Sequence, residues 1–418
     1  MKINKLYGLL VCCLLISGCV ISNGGLSTVE STANRMTPTA QNPSTPTLRA
    51  PQETSSVISP ISSPGLPICS DLPRPAMFFQ ADEGDDYILY HAASKSECTM
   101  RFDPAIGRLL ALTTNGIYYS TDVTREESTK QQIIHYANDG TLTRLPLLDA
   151  DNLYHYFVIS PSGSQIAWSQ LKIAKITADN HKILVSELYS ARADGSEAKL
   201  LYRVDNVAEV ERGAPYIAWM IQPLRFVDDG TLLFTVQPDG KGGSWNAYTG
   251  RYSNLYRVSL SAGDITLVYE CPVDDYSDCI GDISADNAYF VVTKRQVGKV
   301  TVFEMDGTAV ATYSGPGQNY IGRPTFSPSG DLVFMSADVV EDRVTIEQAY
   351  ISFVAKPYEE ATVTLVREPL SFIWGWVDDQ HILYTAVKDE QFQLSVVSLN
   401  RNVERLPKRY GYFHGVLP

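Results

Sequence analysis

Residues 326–337 read FSPSGDLVFMSA, and this stretch decides the fold. Ser327, Pro328, Ser329 and Gly330 are turn formers. Proline presets φ, glycine accepts positive φ, and a serine hydroxyl folds back onto nearby backbone. The run that follows, Leu332 to Ala337, is apolar without alternation. A short unbroken apolar run bounded by turn residues marks a strand buried on both faces. A tight turn feeding such a strand is half of a blade in a stack of sheets.

The plan recurs. MRFDPAIGRLLALTT (100–114), YFVISPSGSQIAWSQ (156–170), LRFVDDGTLLFTVQ (224–237), IGDISADNAYFVVTK (280–294) and WGWVDDQHILYTAV (374–387) share it with PTFSPSGDLVFMSA (324–337). The turn positions Gly107, Gly163, Gly230, Asn287, Gly330 and Gln380 lie 56, 67, 57, 43 and 50 residues apart. Those intervals suit a four-stranded propeller blade plus its loops. A second hairpin follows, as in NLYRVSLSAGDITLVYE (254–270) and KVTVFEMDGTAVATYS (299–314), with turns at Gly263 and Asp306-Gly307. Abundant Tyr (24 residues) with many Val, Thr and Phe agrees with strands, and no long stretch carries helical apolar spacing.

FSPSGDLVFMSA and ISPSGSQIAWSQ resemble the WD40-like repeat of TolB-like periplasmic propellers, with Ser162 and Ser329 where aspartate is usual. The resemblance covers about residues 97–400. It implies an all-β fold with a single β-propeller and says little about function. Six copies predict six blades. A seventh is possible if the strand-like stretches 78–93 and 409–418 pair to close the ring, which protects open sheet edges. The separate N-terminal domain of TolB is not expected here, so a role in the Tol system is not carried over.

The N-terminus reads as an export signal. Lys2 and Lys5 precede an uncharged run from Leu6 to Ile16, too short to span a bilayer. Ile-Ser-Gly-Cys (16–19) resembles a bacterial lipobox. That resemblance implies a signal peptide over 1–18 and acylation of Cys19, whose several chains anchor the protein stably to a membrane. The alternative is an ordinary cleaved signal. Val20 after the cysteine leans towards the outer membrane in a two-membrane cell. Residues 19–67 are rich in Ser, Thr and Pro and are expected to be a disordered tether, averaging about 40 Å end to end. The propeller domain is expected over 68–418.

Lys and Arg number 34 against 47 Asp and Glu, a net charge of −13. This argues against nucleic acid or anionic lipid as the main partner. Beyond Cys19 the cysteines are Cys69, Cys98, Cys271 and Cys279. An even count in an exported chain suggests disulfides. Of three connectivities, the local one (Cys69–Cys98 with Cys271–Cys279) is favoured by loop closure. A zinc site is the rival, without the short Cys pairs zinc prefers.

Catalytic signatures are missing. There is no G-x-S-x-G elbow, no H-E-x-x-H and no phosphate-binding loop, since GKGGSW (240–245) has the wrong glycine spacing. The histidines at 91, 135, 155, 181, 381 and 414 do not cluster in sequence. Asp274, Asp275, Asp278 and Asp282 are a candidate calcium cluster, because calcium takes six to eight oxygens. The plainer reading is a solvated acidic loop. Trp219, Trp245, Tyr248 and Tyr252, with Trp374 and Trp376, fall in or beside inter-strand loops; the long repeat intervals place extra loop around 205–222 and 238–253, and QPDGKGGSWNAYTGRYSN (237–254) is the best candidate for a binding loop. The expectation is a non-catalytic binding module for a protein, peptide or glycan at the cell envelope. The alternatives are an enzyme with a metal or paired carboxylates in the funnel, and a scaffold subunit of an envelope complex.

Overall fold

The computed structural model describes residues 68–418, apart from 126–127, 150–154, 177–181, 194, 209–216, 241–253, 272–277, 295–297, 317–319, 338–347, 360 and 389–390. Every described element is a strand, and the strands form seven four-stranded antiparallel sheets. Blade 1 is β4 (Arg108–Thr113), β5 (Gly116–Arg125), β6 (Ser128–Ala137) and β7 (Leu142–Asp149). Blade 2 is β8 (His155–Ile159), β9 (Gln165–Ile176), β10 (Lys182–Arg192) and β11 (Lys199–Ala208). Blade 3 is β12 (Ile217–Asp228), β13 (Thr231–Gly240), β14 (Asn254–Ser259) and β15 (Ile265–Tyr269). Blade 4 is β16 (Asp278–Ile283), β17 (Tyr289–Lys294), β18 (Lys299–Glu304) and β19 (Ala309–Ser314). Blade 5 is β20 (Tyr320–Phe326), β21 (Leu332–Ala337), β22 (Ala349–Val354) and β23 (Val363–Glu368). Blade 6 is β24 (Leu370–Trp376), β25 (His381–Lys388), β26 (Gln391–Ser398) and β27 (Val403–Arg405).

The closing blade joins the two ends of the described chain. Its order is β28 (Tyr410–Leu417), β1 (Ala76–Ala81), β2 (Tyr87–His91) and β3 (Ser96–Met100). Phe78 pairs with Gly415 and Ala76 with Leu417. The chain is a seven-bladed β-propeller. Six was the favoured count, and the seventh blade comes from the two stretches that were read as a possible closure. It carries no Ser-Pro-Ser-Gly signal because its first strand is the last in the sequence, so no turn joins its first and second strands.

The turn chemistry shows why the repeat folds as it does. In blade 5, Gly330 N–H donates to Ser327 O at 3.0 Å, and Ser327 Oγ accepts from Asp331 N at 3.0 Å. Gly330 sits at φ +98°. Ser160 and Ser284 do the same, accepting from Gln165 N (3.1 Å) and Tyr289 N (2.9 Å). In the Asp-Asp turns a carboxylate substitutes: Asp228 Oδ1 accepts from Gly230 N and Asp378 Oδ1 from Gln380 N, both at 2.7 Å. Side-chain oxygens that satisfy turn N–H groups are the reason Ser and Asp recur there. One copy differs from its expected register. Gly107 precedes β4 and donates to Ser120 O at 2.8 Å, and the first hairpin of blade 1 turns instead at Thr114-Asn115, between the paired Thr113 and Gly116.

The core lies in the seams between blades. Each seam holds its own apolar cluster: Phe334 and Val300 between blades 4 and 5, Ile373 and Ile351 between 5 and 6, and Phe79, Tyr90 and Leu383 between 6 and the closing blade. All six residues of β21 are buried, as its unbroken apolar run predicts. Truncating a core phenylalanine such as Phe334 costs about 3–5 kcal/mol. Blades 2 and 3 have strands of up to 12 residues, so much of their extra length is strand where loop was expected.

Candidate binding site

The first strand of each sheet is innermost, and these seven strands face the central channel. Six of them carry a register shift: β4, β12, β16, β20, β24 and β28. A bulge bends a strand and re-aims side chains. The strongest case is β20. Its shift lies between Gly322 and Thr325, and Arg323 within it has φ +51°. A non-glycine residue in the left-handed region persists only where its surroundings over-determine it, commonly at functional sites.

Those surroundings are specific. Pro324 packs onto Gly281 of the neighbouring inner strand, where an added Cβ would lie 2.1 Å from Pro324 Cγ. Asp282 Oδ2 accepts from Thr325 Oγ1 and from Phe326 N, both at 2.9 Å. Trp376 Nε1 donates to Thr325 O at 3.0 Å from the other side. Arg323 is thereby held with its guanidinium 3.8 Å from the centroid of Phe372.

Phe372 begins an aromatic series along β24 and β28. Its ring centroid is 4.6 Å from Trp374, and Trp374 is 6.1 Å from Tyr412 and 5.8 Å from Phe413. Tyr412 is 5.0 Å from His414. Trp374 is fixed by Nε1 donating to Thr385 Oγ1 at 2.8 Å. Tyr412 is 61 % exposed although it stands on an innermost strand. Across the channel a cavity of about 210 Å³ is lined by Arg108, Tyr156 and Gln222, with Arg108 6.0 Å from the Tyr156 ring centroid. Arginine over aromatic faces and an exposed tyrosine give the channel both apolar contact and fixed hydrogen-bond donors.

The sequence candidates fare unequally. Cys69–Cys98 is a disulfide. Cys271 is also disulfide-bonded, while the Cys279 side chain lies outside the described residues. Asp274 and Asp275 lie outside the described residues, as does the side chain of Asp278. Asp282 joins adjacent inner strands, so its carboxylate is a structural acceptor. Trp245, Tyr248 and Tyr252 lie outside the described residues; Trp219 has its backbone in β12 opposite Pro238. Cys19 lies outside them too. Trp376 is a core residue, and Trp374 is the one beside the exposed Tyr412. Histidines 91, 135, 381 and 414 stand on different strands or turns, and no metal-holding group of three or more His, Cys, Asp or Glu occurs among the described residues. Arg323 and Tyr412 were missed, since an arginine before a proline and a tyrosine in a C-terminal strand carry no signal until the ring is closed.

No protein-family model matches the chain, and no curated protein does. Solved structures do. A prolyl endopeptidase superposes with a TM-score of 0.50 at 8 % identity, over 79 % of this chain and 50 % of that one. An oligogalacturonate lyase in complex with manganese gives 0.46 at 13 % identity, over 79 % and 84 %. TolB from Acinetobacter baumannii, a representative of the group that the repeat resembles, gives 0.38 at 14 % identity, over 82 % and 81 %. At 8 % identity, what the prolyl endopeptidase shares with this chain is the fold alone.

Proposed function

We propose that this is an exported lipoprotein, anchored through Cys19, whose propeller is a non-catalytic binding module for a protein, peptide or glycan at the cell envelope. The observation that carries the binding reading is the exposed Tyr412 beside Trp374 on the innermost strands, with Arg323 held over Phe372. Aromatic residues with arginine form the energetic centre of many interfaces. A tether of about 50 residues lets such a module stand off the membrane surface.

The test is crosslinking of the full-length protein in intact cells, with identification of what co-purifies. Tyr412→Ser and Trp374→Ala, each at wild-type folding, should lose a reproducible partner. Capture unaffected by both places binding elsewhere and sinks the channel site. Hydrolysis or elimination of a captured glycan by the purified protein would favour the enzyme alternative. Cys19→Ala should release the protein from membranes, and retention at wild-type level would refute the anchor.

A further inference from the structure

At the turn-side end of the channel, away from Arg323 and Tyr412, lies a second cavity of about 360 Å³. Blades 1 to 4 all contribute to it. Ligand pockets start at about 300 Å³, so this one suits a small molecule. Leu112, Ile159, Phe226 and Val227 supply apolar wall, and Asn115 and Ser160 supply polar groups. Arg225 is the single charged residue among its described lining residues.

Arg225 is held for this position. It lies between two register shifts in β12, at Pro223/Arg225 and Phe226/Asp228. Its Nη1 donates to Ser284 O at 2.7 Å and approaches Asn287 Oδ1 at 3.5 Å. Those contacts use one nitrogen and leave the Nε–Nη2 edge, which has no acceptor among the described residues. That edge presents two parallel N–H donors, the geometry that matches a carboxylate. The Asn115 backbone is fixed, its N–H donating to Thr113 Oγ1 at 3.2 Å, and its amide Nδ2 lies against Gly163 of the next blade. The nearby carboxylates have partners of their own: Asp229 accepts from the hydroxyls of the Ser160–Ser164 turn that borders the cavity, and Asp286 from Lys356 and Ser284.

We infer that this cavity binds a small monocarboxylate with a compact apolar body. Its carboxylate meets the Nε–Nη2 edge of Arg225, and its body rests on Leu112, Ile159 and Phe226. The inference is independent of the channel site proposed above.

The test titrates the full-length protein with 4-methylpentanoate and with its neutral twin 4-methylpentanamide, followed by saturation-transfer NMR. The acid should bind about tenfold or more tighter than the amide, as a charge-assisted pair requires. Arg225→Gln should erase that preference. Because Arg225 also bridges to blade 4, Ala285→Leu supplies a second arm: it fills the cavity from an exposed turn residue and should weaken the acid with an unchanged melting temperature. Equal binding of acid and amide, no binding of either, or an undiminished preference in folded Arg225→Gln or Ala285→Leu overturns the inference.

Discussion

Tyr90 of β2 donates its hydroxyl to Glu404 Oε1 of β27 at 2.7 Å, joining residues 314 positions apart. Lys95 Nζ reaches the other oxygen of Glu404 at 3.3 Å. The Tyr410 ring lies against Phe79 (5.0 Å) and Tyr90 (5.5 Å), and its hydroxyl donates to Glu97 Oε2 at 2.5 Å. Arg409 bonds the same oxygen. Two glutamates therefore secure the closing blade, one to blade 6 and one across its own face. Burial, with the bond to Glu404 next, pushes the Tyr90 hydroxyl well above its ordinary pKa.

Glu404→Ala leaves the half-buried Tyr90 hydroxyl without its acceptor. The expected loss is about 1–2 kcal/mol in chemical denaturation. Tyr90→Phe should cost about 1 kcal/mol, and the double variant less than the two together, because the residues are in contact. Strict additivity would show that the bond contributes nothing to ring closure.

The Cys69–Cys98 disulfide closes 29 residues and ties the start of the described chain to the outer strand of the same blade. Ile68 and Leu72 beside it pack with Tyr119 and Tyr136 of blade 1. Replacing both cysteines by serine should cost about 3–4 kcal/mol on the loop-entropy account. Reductant should lower the melting temperature of the wild type towards that of the variant. A variant that melts with the wild type would show that the apolar contacts alone hold this segment.

The fold was legible where local chemistry repeats. Ser160, Ser284 and Ser327 satisfy turn N–H groups in the same way in three blades, so sequence alone locates those turns. The seventh blade was harder, because pairing of Phe78 with Gly415 is a contact between chain ends with no local mark. The site was less legible still. Arg323 owes its position to Pro324 against Gly281 and to Asp282 on the next strand. None of these is significant until adjacent inner strands are side by side. Asp282 reads as one of an acidic quartet because sequence shows proximity along the chain and not the Thr325 hydroxyl and Phe326 N–H that donate to its Oδ2; the side chains of the other three aspartates lie outside the described residues.

Asp282→Ala removes that shared acceptor and leaves a buried hydroxyl and a buried N–H unpaired. The expected cost is about 2–4 kcal/mol. Asp282→Asn keeps an oxygen in place and should cost about 1 kcal/mol. Weakened ligand capture by the asparagine variant, measured where it is still fully folded, would place Arg323 under the control of this bond. Equal stability of wild type and Asp282→Ala would remove Asp282 from the account of how blades 4 and 5 are joined.

His414 makes stability depend on pH. Its ring lies 5.8 Å from both Phe78 and Tyr87 and 5.0 Å from Tyr412, and its buried Nε2 has no hydrogen-bond partner among the described residues. Burial lowers its pKa below the ordinary 6.5. The folded protein thus resists a proton that the unfolded chain accepts. Its contribution is complete above about pH 6.5 and is lost as pH falls towards the depressed folded value. His135, stacked on Tyr118 at 4.2 Å, is shifted downwards too, chiefly by burial. Each histidine adds a slope of up to about 1.4 kcal/mol per pH unit in this window. His414→Phe keeps an aromatic ring in the cluster and should flatten the fall in melting temperature between pH 7 and 5, with the His135 portion remaining. An unchanged slope would mean that His414 takes up its proton in the folded state as readily as in the unfolded one.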